Sequence, residues 1–143
     1  MTGEAPASFH VTSAFDEVRI ETLAHTSEAV AHAALEVAYG LHKDRAGWLS
    51  VPVRVAVLKR FAALVGEQAE ALARQAAREG GKPLADSRVE IARAINGVEV
   101  AIAEIPQLHG TEVPMGQTAS SAQRIAHTFR EPRGVVLAIS AFN

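Results

Sequence analysis

Apolar residues recur every three or four positions through most of the chain before Pro106, and every second position in the stretch that follows Gly110. The first spacing is that of an amphipathic helix and the second that of a half-buried strand. Residues 1–25 fit neither well. There Val18 and Ile20 alternate with Glu17, Arg19 and Glu21, which predicts an extended arm or a short strand. From Thr26 the helical spacing begins: Thr26 and Ser27 are capping residues, Glu28 suits a first turn, and Val30, Ala31, Ala34, Leu35 and Ala38 form a stripe closing around Gly40.

Ser50 is a candidate cap for a second helix, with Pro52 tolerated in its first turn because the missing donor would be unpaired there anyway. Leu58, Phe61, Leu64 and Val65 are its expected buried stripe. Gly66 permits a break, after which Ala69, Leu72, Ala73 and Ala76 carry the period on to Gly80 and Gly81. Pro83 forbids continuation. Ile91, Ile95, Val98, Ile102 and Ile105 then define the clearest helix, ended by Pro106. Asn96-Gly97 in isolation reads as a hairpin turn, but it sits inside an unbroken helical stripe, so the helix is expected to run through it.

After Gly110, Glu112 and Val113 precede a turn-rich stretch, and residues 124–130 alternate, with Ile125, His127 and Phe129 on one face. An antiparallel pair is expected. Residues 131–134 break that strand, and Val135, Val136, Leu137, Ala138 and Ile139 form a continuous apolar run, the pattern of a strand covered on both faces in a parallel α/β sheet. No second run of this kind occurs. A doubly covered strand needs parallel neighbours, so the domain is expected to be incomplete as given.

Composition narrows the function classes. With 143 residues, 48% hydrophobic and 21% charged, the chain is expected to bury one core as a single domain. A formal net charge of -2, from 14 basic and 16 acidic residues, gives no electrostatic footprint for nucleic acid or an anionic membrane. Neither partner is expected. There is no cysteine, hence no disulfide framework, thiolate metal site or cysteine nucleophile within these residues. No basic segment followed by an apolar stretch opens the chain and no apolar run is long enough to span a bilayer, so a cytoplasmic protein is expected.

Gly80-Gly81-Lys82 lacks the earlier glycine of a phosphate loop, where Ala76 stands, and has Pro83 where a hydroxyl is needed; it reads as a helix stop. His10, His25, His32, His42, His109 and His127 include no pair at four-residue spacing with a nearby carboxylate, so no metal is expected. Trp48 reads as a packing anchor. Asn143 directly follows the buried-strand pattern, and strand ends are where α/β sheets hold ligands, although spacing alone favours a turn asparagine.

Three stretches carry a resemblance. Residues 54–64 follow R-x-x-x-L-x-x-x-A-x-x-L in spirit, Glu79-Gly80-Gly81-Lys82-Pro83 is similar to E-T/G-G-K-P, and Arg130-Glu131-Pro132-Arg133-Gly134-Val135-Val136 with Ala138-Ile139-Ser140-Ala141-Phe142-Asn143 is similar to R-x-P-x-G-V-V-x-x-I-x-P-F-N. Together they resemble the aldehyde dehydrogenase superfamily over most of the chain, least before His25. Ala141 departs from the usual proline.

The resemblance implies an α/β fold of three parts: an N-terminal arm and helices of the cofactor-binding domain over 1–109, the base of an oligomerisation β-hairpin over 110–133, and the first strand of a Rossmann-like cofactor sheet over 134–143. It implies NAD or NADP as cofactor, held near Ile139, Ser140, Ala141, Phe142 and Asn143, a small-molecule aldehyde as substrate, and a homodimer or homotetramer whose hairpins resolve an exposed edge. In the family a cysteine thiolate attacks the aldehyde, an asparagine matching Asn143 helps hold the oxyanion, hydride passes to the cofactor, and glutamate-activated water releases the acid. The family places the nucleophile and the general base beyond this asparagine, so the chain alone is expected to be inactive. Two other readings remain: an acylating aldehyde dehydrogenase or acyl-phosphate reductase of the same superfamily, and a non-enzymatic helical or hairpin interaction module.

Overall fold

Strands β1 (Ser8–Thr12) and β2 (Arg19–Ala24) pair antiparallel in the computed structural model, which describes residues 7–140. The register sets Val11 opposite Glu21 and Thr12 opposite Arg19, with an irregularity between Val11 and Thr12. The connecting turn is held locally: Ser13 N–H donates to Val18 O at 2.9 Å, and Glu17 takes a left-handed φ of 58°. The expected short strand over 17–21 is thus half of a hairpin. Its partner carries the same alternation, with Phe9 and Val11 set between Ser8, His10 and Thr12, in a run of only five residues.

Helix α1 (Glu28–Lys43) starts at the expected cap, where the Val30 N–H donates to Ser27 Oγ at 3.3 Å. It does not close at Gly40. A glycine costs a helix only about 1 kcal/mol, and Gly40 meets nothing within 4 Å, so neither sterics nor backbone stops the helix before Asp44. No α1 residue is buried, and Leu35, Val37, Tyr39 and Leu41 are exposed.

Helix α2 (Val51–Glu67) carries Pro52 in its first turn and breaks just after Gly66; α3 (Ala69–Gly80) follows directly. Gly81 ends α3 with φ 64°, a left-handed cap in which its N–H donates to Ala77 O at 2.9 Å. After Pro83, α4 (Leu84–Glu104) runs straight through Asn96 and Gly97, as the stripe predicts, and passes into a 3-10 turn (Ile105–Gln107) holding Pro106.

Helix α4 packs against both α2 and α3. Its expected stripe of Ile91, Ile95, Val98 and Ile102 is half-buried and ends in buried Ile105. Among the described residues the two with no exposure at all are small, Ala73 on α3 and Ser87 on α4, as close helix approach requires. On α2 the half-buried apolar residues are Val55, Leu58, Ala62, Leu64 and Val65, so three of the four stripe residues lie where expected, whereas Phe61, expected inside, is 52% exposed. The one core expected from length and composition is thin: among the described residues only Ala73 and Ile105 are buried apolar side chains. Three helices with one interior line between them have too little surface facing inward to enclose large side chains.

Strands β3 (Glu112–Val113) and β4 (Ala126–His127) form the expected antiparallel pair, much shorter than the alternation over 124–130 suggests. Thr128 N–H extends it by one bond to Thr111 O at 2.9 Å. Ile125 and Phe129 project 89% and 70% exposed, because nothing among the described residues covers that face.

The run at 135–139 differs most from expectation. It has no strand partner among the described residues, and Val136, Leu137 and Ile139 are each more than 70% exposed. Pairing defines a strand, and apolar pattern cannot supply the neighbour. No helix among the described residues is long and apolar enough to cross a membrane.

Candidate functional site

The segment carrying the candidate site leaves β4 and passes the end of α1. A cavity of about 1010 Å³ lies there, walled by Leu41, His42, Trp48 and Arg54 on one side and by residues 130–132, Gly134 and Val135 on the other. Trp48 fulfils the packing role expected of it. Its indole N–H donates to His42 O at 2.9 Å, and its ring stacks on that of His42 at 5.8 Å and 22°.

Across the face of this indole, the Arg45 guanidinium sits 5.3 Å from the ring centroid. Its Nη1 and Nη2 donate to the two carboxylate oxygens of Glu131 at 3.0 and 3.3 Å. The pair ties residues 86 positions apart. No sequence pattern singled out either residue; only a reading of which charges flank the lone tryptophan and the Pro132 turn could have done so.

Arg54, the first residue of the helix motif, has its Nε buried without a hydrogen-bond partner at this cavity's wall. The other expected landmark is structural. Gly81 caps α3, and Lys82 is ion-paired with Glu90 on α4, so the helix-stop reading of Gly80-Gly81-Lys82 holds.

The strongest electrostatic perturbation lies away from this cavity. Glu70 accepts from Arg88 Nε and Nη2, both at 2.9 Å, and pairs with Arg74 at 2.8 Å; Arg88 above all, then Arg74, holds its carboxyl down at about 2. Asp16 in the hairpin turn is also lowered, chiefly by its hydrogen bond with Ser13 and then by that with the Val18 backbone. Both are structural devices at helix and turn surfaces. Among the described residues no three histidine, aspartate or glutamate side chains gather as for a metal ion.

Of the expected cofactor residues, Ile139 and Ser140 are exposed and do not line the cavity beside Trp48, whereas Ala141, Phe142 and Asn143 lie outside the described residues. Two exposed residues on an unpaired segment form no dinucleotide cradle by themselves.

Comparison with known proteins places this geometry. The model of the aldehyde dehydrogenase family matches residues 1–143. The 3-sulfolactaldehyde dehydrogenase of Priestia megaterium is 37% identical over 90 residues, 63% of this chain and 19% of that protein, so the chain spans about a fifth of that relative's length. The NADP-dependent glyceraldehyde-3-phosphate dehydrogenase of Bacillus halodurans, solved with NADP, superposes on 96% of this chain and 29% of its own with a TM-score of 0.85 at 26% identity. An NAD-dependent benzaldehyde dehydrogenase of Corynebacterium glutamicum matches 80% of this chain and 25% of its own at a TM-score of 0.68 and 23% identity, a likeness of fold alone. With its three motifs in order, its helices laid out as in these structures and the family model covering every residue, the chain belongs to the aldehyde dehydrogenase family.

Proposed function

We propose that these residues form the front portion of an NAD(P)-dependent aldehyde dehydrogenase that oxidises a small aldehyde to its carboxylic acid. The observation that carries this reading is the superposition of 96% of the chain on an NADP-bound aldehyde-oxidising enzyme. The motif from Arg130 to Asn143 supports it at the level of individual residues.

In this reading the Asn143 side-chain amide donates to the oxygen that becomes negative when the aldehyde carbon is attacked. One such donor, fixed in advance, lowers the barrier by about 3 kcal/mol. The attacking thiolate must come from outside these 143 residues, which contain no cysteine. Ile125 and Phe129, exposed beside the short β3–β4 pair, favour a second subunit covering the hairpin, as in a dimer or a pair of dimers.

Two measurements test the proposal. The 143-residue polypeptide mixed with short aldehydes and NAD or NADP is expected to form no reduced cofactor, and sustained turnover would overturn the reading. A chimera carrying these residues in place of the matching segment of the Priestia megaterium enzyme is expected to turn over. In that chimera Asn143→Ala should lower kcat by about 10²–10³-fold. An active chimera indifferent to Asn143→Ala would remove the oxyanion role.

A further inference from the structure

Two guanidinium groups, those of Arg54 and Arg130, stand in the wall of the cavity beside Trp48, and neither forms an ion pair among the described residues. The carboxylates of the same wall do not serve them. Glu131 accepts from Arg45 through both its oxygens, and Asp44 pairs with neither arginine. With the Arg45–Glu131 pair neutral in sum, two positive side chains of the wall remain against one negative.

Arg54 is the better held of the two. It lies one turn into α2 and is half-buried, whereas Arg130 is exposed. Its Nε–H is enclosed without an acceptor, a condition that folded proteins leave few of their polar groups in. Elsewhere in this molecule the same edge of a guanidinium is used in full: Arg88 donates to Glu70 from Nε and Nη2, both at 2.9 Å. A carboxylate offered to Arg54 in that side-on manner would satisfy the stranded donor after a small turn of the side chain.

The rest of the wall selects what carries the carboxylate. Leu41, Leu49 and Leu108 line the cavity at 67%, 58% and 59% exposure, so apolar surface there is left to be covered. Its volume of about 1010 Å³ is at the upper end of the range for small-molecule sites. A single unbalanced positive charge suits one carboxylate better than a phosphate dianion. We propose that this cavity binds a monocarboxylate with an apolar body, the carboxylate side-on to Arg54 and within reach of Arg130, the body against the three leucines. The inference does not depend on the oxidation proposed above, in which none of these residues is given a part.

Trp48 is the single tryptophan and lines the cavity, so its indole N–H resonance in the 143-residue chain reports on the site. Titration with 4-phenylbutyrate should shift that resonance saturably, half-complete at about 1 mM, an affinity that a ligand of this size can reach. The alcohol 4-phenylbutanol and inorganic phosphate should each bind at least about tenfold more weakly. Arg54→Gln should weaken the acid about 10–100-fold and Arg130→Gln about threefold, with helical circular dichroism unchanged. Should Arg54→Gln unfold the chain, the exposed Arg130→Gln decides. A shift that does not saturate, alcohol or phosphate binding as tightly as the acid, or both variants matching the parent would overturn the site. The chimera then separates two sources of the group. Binding of 4-phenylbutyrate to the folded chimera as to the chain identifies a free acid as the ligand. Binding to the chain alone identifies a carboxylate side chain of the rest of that enzyme, already seated in the cavity.

Discussion

Gly110 lies so close to Thr128 that a methyl group on its α-carbon would meet the Thr128 carbonyl oxygen at 1.5 Å. No neighbouring side chain can move aside, because the obstacle is backbone. The short β3–β4 pair consequently depends on having no side chain at this position.

Gly110→Ala should therefore open the hairpin base, at about 1–3 kcal/mol or more for a contact of this kind. Amide exchange is the direct readout: the Thr128 N–H, bonded to Thr111 O at 2.9 Å, should lose its protection while the amides of α4 keep theirs. Retained protection at Thr128 would mean that the close approach is not maintained in solution.

At Gly81 two effects are separable. The left-handed φ of 64° penalises any L residue by about 1–2 kcal/mol, and a Cβ would also sit 2.9 Å from that of Ala14 in the hairpin turn. Gly81→Ala should lower the urea midpoint, and adding Ala14→Gly should recover only the contact part. A double variant as stable as the parent would show that the backbone conformation costs nothing here.

Glu70 supplies an acid-dependent component of stability. Its carboxyl is held at about 2, against 4.5 when unperturbed, so the folded state favours the ionised form. The contribution is present in full above pH 4.5, fades as pH falls between the two values and is gone below about 2. Glu70→Gln should accordingly be less stable than the parent near neutrality, with the two unfolding curves converging towards pH 2. Parallel curves across that range would rule out the Arg88 pairing as the cause.

Ser87 is wholly buried and its hydroxyl has no partner. An unsatisfied buried hydroxyl is a cost rather than a gain, so Ser87→Ala should be neutral or mildly stabilising. Ser87→Leu should destabilise by about 1–3 kcal/mol, since the α3–α4 contact has no room for it. Chemical denaturation at matched slope distinguishes the two, and a clearly destabilised Ser87→Ala would reveal a bond that the hydroxyl makes in solution.

The helices were legible because their signal is local. The four-three-four-three spacing from Ile91 to Ile105 outweighed Asn96-Gly97, and Gly81 marked the end of α3 through its own backbone preference. Contacts between distant positions were not legible in the same way. Arg45 and Glu131, or Gly110 and Thr128, become partners only once the chain has turned back, and neither pair leaves a periodic trace. The apolar run at 135–139 advertised burial without saying what would cover it. At Asn143 the sequence pattern, and not the described geometry, bears the functional assignment.

That uncovered run has a practical consequence in the test tube. Five consecutive β-prone or small apolar residues, without charge or proline and with no strand partner among the described residues, make a template for another copy to add to. Association between molecules should consequently set in at lower concentration than loss of helix, visible as rising light scattering while the helical circular dichroism is unchanged. A lysine in place of Leu137 should delay it, and the handling of this polypeptide becomes a matter of dilution before it becomes one of temperature.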